Sequence, residues 1–419
     1  MSRKAISKLG LMISVVLILL LLPLSTACAP KPAEEEIGEG RTIKIGIFAE
    51  FTGPIASTVI PIGNAYMDYI KYLNEEEGGI NGIRIEPLWT DCAYSLPKAI
   101  TAYARFKEEG VVLTINSASP YNEGLRPTWE RDKIPSISIA VSAPALYPAG
   151  PIFVDRVDYT SMFGGFIDWL VDEWWQEPRP PRVALMAWDS PFGRGPLPAI
   201  PYAESRGVEI VGTEFIPSMP TDTTIELLRL GDADADFIFS NIIAAPVSVM
   251  LKDAYRLGLS TAAGGKMTIV PGFQTGMEEL IPMAGEAAEG TLGLQCTAMW
   301  QDEGMPGVKL ANEVQEKYRG EAEPSSTYLW GWNVARIGCE GIRIALDDVG
   351  YDKLDGAAVW KALESIKGLD MGGIIPPVTF SPTERRGSMS IRMLQITNGQ
   401  PVWVSDWVKC PDLLAEASE

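Results

Sequence analysis

Histidine is missing from the chain: none of the 419 residues is one. That absence removes Ser-His-Asp and Cys-His nucleophiles, His-ligated zinc and imidazole acid-base chemistry near neutral pH. Cysteine is scarce, with 5 in all, and no C-x-x-C spacing occurs among Cys92, Cys296, Cys339 and Cys410. No G-x-S-x-G elbow is present, and no pair of carboxylates, such as Asp91 with Asp189, is brought together by spacing. Positive charge is also short. Lys and Arg number 35 against 54 Asp and Glu, for a formal net charge of −19. So acidic a body argues against nucleic acid as a partner and repels anionic lipid.

Three stretches come near cofactor or metal motifs and fail. In "STAAGGKMT" (260–268) Ser260 replaces the first glycine of a phosphate loop and Met267 its metal-ligating hydroxyl, so a helix-ending turn is expected. "GEGRTIKIG" (38–46) has G-x-G ahead of a strand rather than after it, unlike a dinucleotide fingerprint. "GDADADFIF" (231–239) spaces Asp232, Asp234 and Asp236 like an EF-hand opening, but Phe237 stands where glycine is required. No cofactor, no metal and no catalysis are expected.

What is there begins with a leader. Arg3, Lys4 and Lys8 precede the apolar "LMISVVLILLLL" and the small-residue end "PLSTAC", so residues 1–27 read as an export signal. Its end resembles a lipobox, with Ser25 where leucine is usual, and this places acylation on Cys28. Residues 28–41, "CAPKPAEEEIGEGR", bury almost nothing and form a tether. The remaining cysteines, even in number in an exported chain, leave room for one or two disulfides of open pairing.

From residue 42 short apolar runs alternate with longer amphipathic ones, the pattern of βαβ units. "TIKIGIF" predicts a strand, "NAYMDYIKYLNEE" a helix over 64–76, "VVLTIN" and "IPSISIA" strands. A second series runs from a helix at "SMFGGFIDWLVDEWW" through strands "RVALMAW", "VEIVGTEFI", "ADFIFSN" and "KMTIVPG". A helix is expected around "GPLPAIPYAESRG", and a β-rich close in "PPVTFSP", "SMSIRMLQI" and "PVWVSDWV". The fold class is therefore α/β, with two Rossmann-like lobes. In open parallel sheets ligands bind beyond the carboxyl ends of the strands, where helix N-termini favour anions. The turns "NSASPYNEG" and "SIAVSAPALY" place Ser119-Pro120 and Ser142 with Pro144 there. Helix capping alone would also explain such hydroxyls.

The run "IKIGIFAEFTGPIASTVIPIGNAYMDYIKYLNEEEGGINGIRIEPLWTD" resembles the type I periplasmic substrate-binding proteins of ABC importers, of the branched-chain amino acid (Leu/Ile/Val-binding) family. The likeness continues through "WDSPFGRG", "AGEAAEGTLG" and "DMGGIIPPVTFSPTERRG". It implies three hinge crossings, a first lobe of residues 42–158 and 300–375, and a second of 159–299 and 376–410. It implies a solute receptor outside the cytoplasm, in the periplasm or on the outer face of a membrane, lipid-anchored and monomeric, that serves an ABC permease and ATPase. A ligand-sensing module for signalling could use the same fold.

By position the ligand carboxylate falls to Ser119, with Ser117 beside it, and a second cradle to Ala140 and Ser142. The resemblance puts Thr58 in the first loop, Phe192 where a far-lobe tyrosine is common, and Tyr328 on the side-chain pocket. The acid that pairs with a ligand ammonium should lie near Phe273 and Gln274, and neither is acidic; Glu278 and Glu279 come a turn later. A hydrophobic amino acid is the first expectation, and an aromatic or aliphatic carboxylate or an amide the alternative.

Overall fold

The computed structural model describes residues 40–320, 322–323 and 325–415. The expected leader, residues 1–27, and Cys28 lie outside the described residues. "TIKIGIFA" becomes β1 (Thr42–Ala49), apolar on both faces, and such a strand suits a parallel sheet covered on both sides. With β2 (Arg84–Asp91), β3 (Leu113–Asn116), β4 (Ser136–Ser138) and β5 (Ile152–Val154) it forms a parallel sheet in the order β2-β1-β3-β4-β5. On one face Phe48 meets Phe106 of helix Leu96–Glu108 at 5.2 Å and Trp129 of helix Ser119–Asp132 at 6.2 Å. The backbone of β1 comes so near that a Cβ on Gly46 would stand 2.5 Å from the Phe106 ring. On the other face helix Ser326–Val349 rests Gly338 on Leu113 and Ile137, and crosses helix Ala56–Glu75 at Gly331.

The second lobe repeats the plan. Strands β6 (Arg182–Trp188), β7 (Glu209–Ile216), β8 (Phe237–Ser240) and β9 (Thr268–Pro271) run parallel in the order β7-β6-β8-β9. Beside β9 lies β10 (Leu292–Gln295), paired antiparallel with β11 (Ser390–Thr397), which also pairs with β12 (Gln400–Trp403) and β13 (Val408–Lys409).

The chain crosses between lobes after β5, after β10 and before β11. The crossings are bonded to one another: Val154 N–H donates to the Arg385 carbonyl (2.9 Å), Gly387 N–H to the Val154 carbonyl (2.7 Å) and Ala298 N–H to the Ile374 carbonyl (2.7 Å). Charge buried there is compensated: Arg386 meets Asp158 at 2.7 Å and also Glu384 and Asp412, and Arg156 meets Asp155 at 2.6 Å.

Several local expectations change. The helix expected from residue 64 starts at Ala56 and runs through Pro61, because burial of Thr58, Val59 and Ile62 outweighs the hydrogen bond that proline forfeits. "GPLPAIPYAESRG" breaks into a 3-10 turn (Leu197–Ala199) and a short helix (Ile200–Ser205) around its prolines. "PPVTFSP" makes only isolated bridges, Leu369 to Val378 and Ser381 to Glu384. The disulfides for which the sequence leaves room are not formed: Cys92, Cys296, Cys339 and Cys410 are buried free thiols. In the acidic triplet Asp234 and Asp236 are held by Arg182 and Arg179, each at 2.6 Å. No helix among the described residues is long and apolar enough to cross a membrane.

Candidate ligand-binding cleft

Both parallel sheets turn their carboxyl ends toward the gap between the lobes. In the first, the order reverses between β1 and β3, where open α/β sheets form their crevice. The turn after β3 is fixed from within by Asn116. Its Oδ1 accepts from Ala118 N–H (3.0 Å) and the Ser138 hydroxyl (3.1 Å), while its Nδ2 donates to Asn122 (2.9 Å) and Ser136 (3.0 Å). Ser117 and Ser119 are thereby presented on a rigid loop.

Neither expected cap hydroxyl caps a helix. Ala118 is the residue before helix Ser119–Asp132, and Ser119 is its first residue, buried, with its hydroxyl 3.5 Å from the Tyr159 hydroxyl. Ser142 stands at the start of helix Ala143–Leu146 but donates its hydroxyl to Glu123 at 2.8 Å.

Thr58, Ser117, Ser119, Phe192 and Gln274 line one small cavity between the lobes, with a volume of about 30 Å³. Ile55, Val59, Tyr94, Ile139, Tyr159 and Ile243 complete it. The lobes are tied across it: Gln274 donates to the Ile139 carbonyl at 3.0 Å, and the Thr58 hydroxyl donates to Glu279 at 3.1 Å.

Tyr159 was not singled out in the sequence, yet it stands at the centre. Its ring lies 5.3 Å from Phe192 and 6.0 Å from Phe273, and its hydroxyl is 3.4 Å from Gln274. It opens helix Tyr159–Trp169, which Asp158 caps by accepting from the N–H groups of Thr160 and Ser161 at 3.0 and 2.9 Å. That "DYTS" cap was the available signal.

A cavity at the switch point of one doubly wound lobe, closed over by a second, is the arrangement the sequence resemblance implies. The family profile of the periplasmic binding proteins matches residues 42–401. The chain belongs to this family. It is a binding protein of the ABC-transporter type and not an enzyme. Its structure is similar to that of a branched-chain amino acid ABC transporter protein from Thermus thermophilus solved with bound valine, at 26% identity and TM-score 0.80 over 90% of this chain and 98% of that one. An ABC transporter substrate-binding protein from Aeropyrum pernix is similar at 21% identity and TM-score 0.79, over 90% of this chain and 99% of that one. A fatty acid ABC transporter substrate-binding protein from Thermomonospora curvata gives 21% identity and TM-score 0.75, over 90% and 94%. No curated protein matches the chain.

The other residues expected at the periplasmic binding protein's site lie elsewhere. Ala140 has both backbone groups engaged inside the first lobe, its N–H donating to Ser138 (3.0 Å) and its carbonyl accepting from Asn122 (2.8 Å). Ser142 lines a separate cavity with Glu123, Thr160, Asp189 and Arg194. Phe273 is buried behind Tyr159, between it and the Arg156 guanidinium, 5.1 Å from the ring. Tyr328 turns away to donate to Asp68 at 3.1 Å, where Arg319 also binds that carboxylate.

The acid absent at 273–274 comes one turn later. Gly276, at φ +69°, separates the 3-10 turn Phe273–Thr275 from helix Met277–Ala284 and swings Glu279 to Thr58. Burial pushes the Glu279 carboxyl up to about 7, against the lowering effect of the Thr58 hydroxyl. Glu278 is also raised by burial and accepts from the Ser326 hydroxyl. No lysine or arginine lines the cavity.

Proposed function

We propose that the protein is the extracytoplasmic solute receptor of an ABC importer, anchored by acylation at Cys28 and specific for a small hydrophobic amino acid. One observation carries this reading: hydroxyls of the first lobe line one interlobe cavity, and one of them, Thr58, is hydrogen-bonded to the half-buried Glu279 carboxyl of the second lobe. The Ser119 hydroxyl, at the first position of its helix, is suited to a carboxylate. The Thr58–Glu279 pair is suited to an ammonium, which would be costly to bury without a counter-charge. Ile55, Val59, Ile139, Phe192 and Ile243 offer an apolar wall for the side chain. The valine bound in the Thermus thermophilus relative supports the same class.

A second reading takes an aliphatic or aromatic carboxylate, or an amide. It is favoured by the raised carboxyl of Glu279, which when neutral asks for no cation, and by the fatty acid relative. Melting curves of the purified protein with leucine, isoleucine, valine or phenylalanine, against benzoate-type acids and short amides, separate the two. A specific ligand raises the melting point by mass action. A rise with the amino acids alone supports the first reading, and a rise with the amine-free acids alone selects the second.

A further inference from the structure

The first strand leads directly into a buried carboxyl that has no cation. Glu50 follows β1 and is 2% exposed. Its Oε2 accepts the Ser117 hydroxyl, and its Oε1 has no partner. The ionisable and hydroxyl groups facing it are Ser117, Tyr121 from helix Ser119–Asp132, Asp91 and Cys92 at the end of β2, Tyr94, and Tyr66 from helix Ala56–Glu75. None of these is a cation, and Asp91 opposes a second negative charge. Burial therefore pushes the Glu50 carboxyl up to about 8, against the lowering effect of the Ser117 hydroxyl.

Ser117 joins this carboxyl to the cavity, which it lines. A serine hydroxyl has one proton and two lone pairs. Beside a carboxylate, Ser117 must spend its proton on Glu50 and can offer the cavity only lone pairs. Beside a carboxylic acid, it can accept the proton of Glu50 and aim its own at the cavity. An anionic oxygen of a ligand needs the second state.

We propose that Glu50 is a positioning residue that sets the direction of the Ser117 hydroxyl, so that the receptor holds the carboxylate end of its ligand while Glu50 is protonated and releases it when Glu50 ionises. The inference rests on the cavity being the site of a carboxylate-bearing solute. It adds that the solute is taken with a proton already on the protein and that affinity falls in alkaline medium.

The test is the variant Glu50→Gln, which has the same shape, no charge at any pH, and an amide N–H able to donate to Ser117. The dissociation constant of leucine is measured by calorimetry for both proteins from about pH 6 to about pH 9.5, and the ligand-free melting point from about pH 5. Titration of the ligand amine and of Glu279 is common to both proteins, so the ratio of dissociation constants isolates Glu50. That ratio is expected to stay level below about pH 7, and above about pH 8 wild-type binding weakens by about tenfold per pH unit relative to the variant. Without ligand, the wild-type melting point should fall relative to the variant between about pH 5 and pH 8, because the folded protein holds a proton that the unfolded chain releases.

Parallel binding profiles, or a melting difference independent of pH, would overturn the role of Glu50. A Ser117→Ala protein that keeps the full alkaline loss would overturn the route through Ser117. Failure of both proteins to bind any amino acid or carboxylate near pH 6 would instead count against the proposed function, a result distinct from parallel profiles.

Discussion

Glu279 illustrates what a linear reading of residues can and cannot reach. The sequence places non-acidic Phe273 and Gln274 where an ammonium partner is expected and leaves Glu278 and Glu279 a turn away. Which of the two reaches the cleft depends on the backbone at Gly276, whose positive φ no periodicity reveals. Glu279 reaches Thr58, while Glu278 goes to Ser326. If Glu279 pairs with the ligand ammonium, its carboxylate form binds best. Its pKa near 7 then predicts that leucine affinity rises with pH up to about 7 and levels off, and that Glu279→Gln binds more weakly and loses this rise. Calorimetry between about pH 5 and pH 7.5 checks both. For the folded protein alone the sign is opposite. A carboxyl raised from 4.5 to about 7 holds a proton that the unfolded chain has lost, so its contribution to stability declines as pH rises through that window. Tyr328 belongs to the same scale: it sits in the buried first half of helix Ser326–Val349, where Asp68 with Arg319 claims its hydroxyl.

At the scale of elements, the strands were legible because β1, β3, β6 and β8 are short, mostly apolar and β-branched or aromatic runs between polar turns. Helix starts were less so. Ser119 reads as a cap and is instead the first helical residue, which is why its hydroxyl is turned to Tyr159 and not to its own backbone. Packing between elements sets two stability expectations. Gly46→Ala drives a methyl to within 2.5 Å of the Phe106 ring and should destabilise the first lobe by about 1–3 kcal/mol. Arg386→Ala leaves Asp158 buried without its partner at the hinge and should cost about 3–5 kcal/mol. Urea unfolding reads both as a lowered midpoint. A change below about 0.5 kcal/mol at either site would mean that the neighbouring elements relax freely.

At the scale of the whole molecule, two lobes joined by bonded crossings with a cavity between them fit the proposed receptor role, and hinge closure around ligands is a recurrent device of such proteins. The α/β pattern and the family were legible from the order of many modest motifs, whereas the shape of the site was not, because it is assembled from both lobes. The proposed acylation predicts that Cys28→Ser moves the protein from the membrane fraction to the soluble fraction, while unchanged anchoring would contradict acylation there. The central claim, a carboxylate-bearing hydrophobic amino acid held at Ser119 in the interlobe cavity, is tested most directly by calorimetric titration of leucine into the purified wild type and Ser119→Ala at neutral pH. The account predicts micromolar or tighter binding to the wild type and a loss of about 1–3 kcal/mol, roughly five- to 150-fold, in the variant. Equal affinities in the two proteins, or no heat from leucine where an amine-free acid binds tightly, would contradict it.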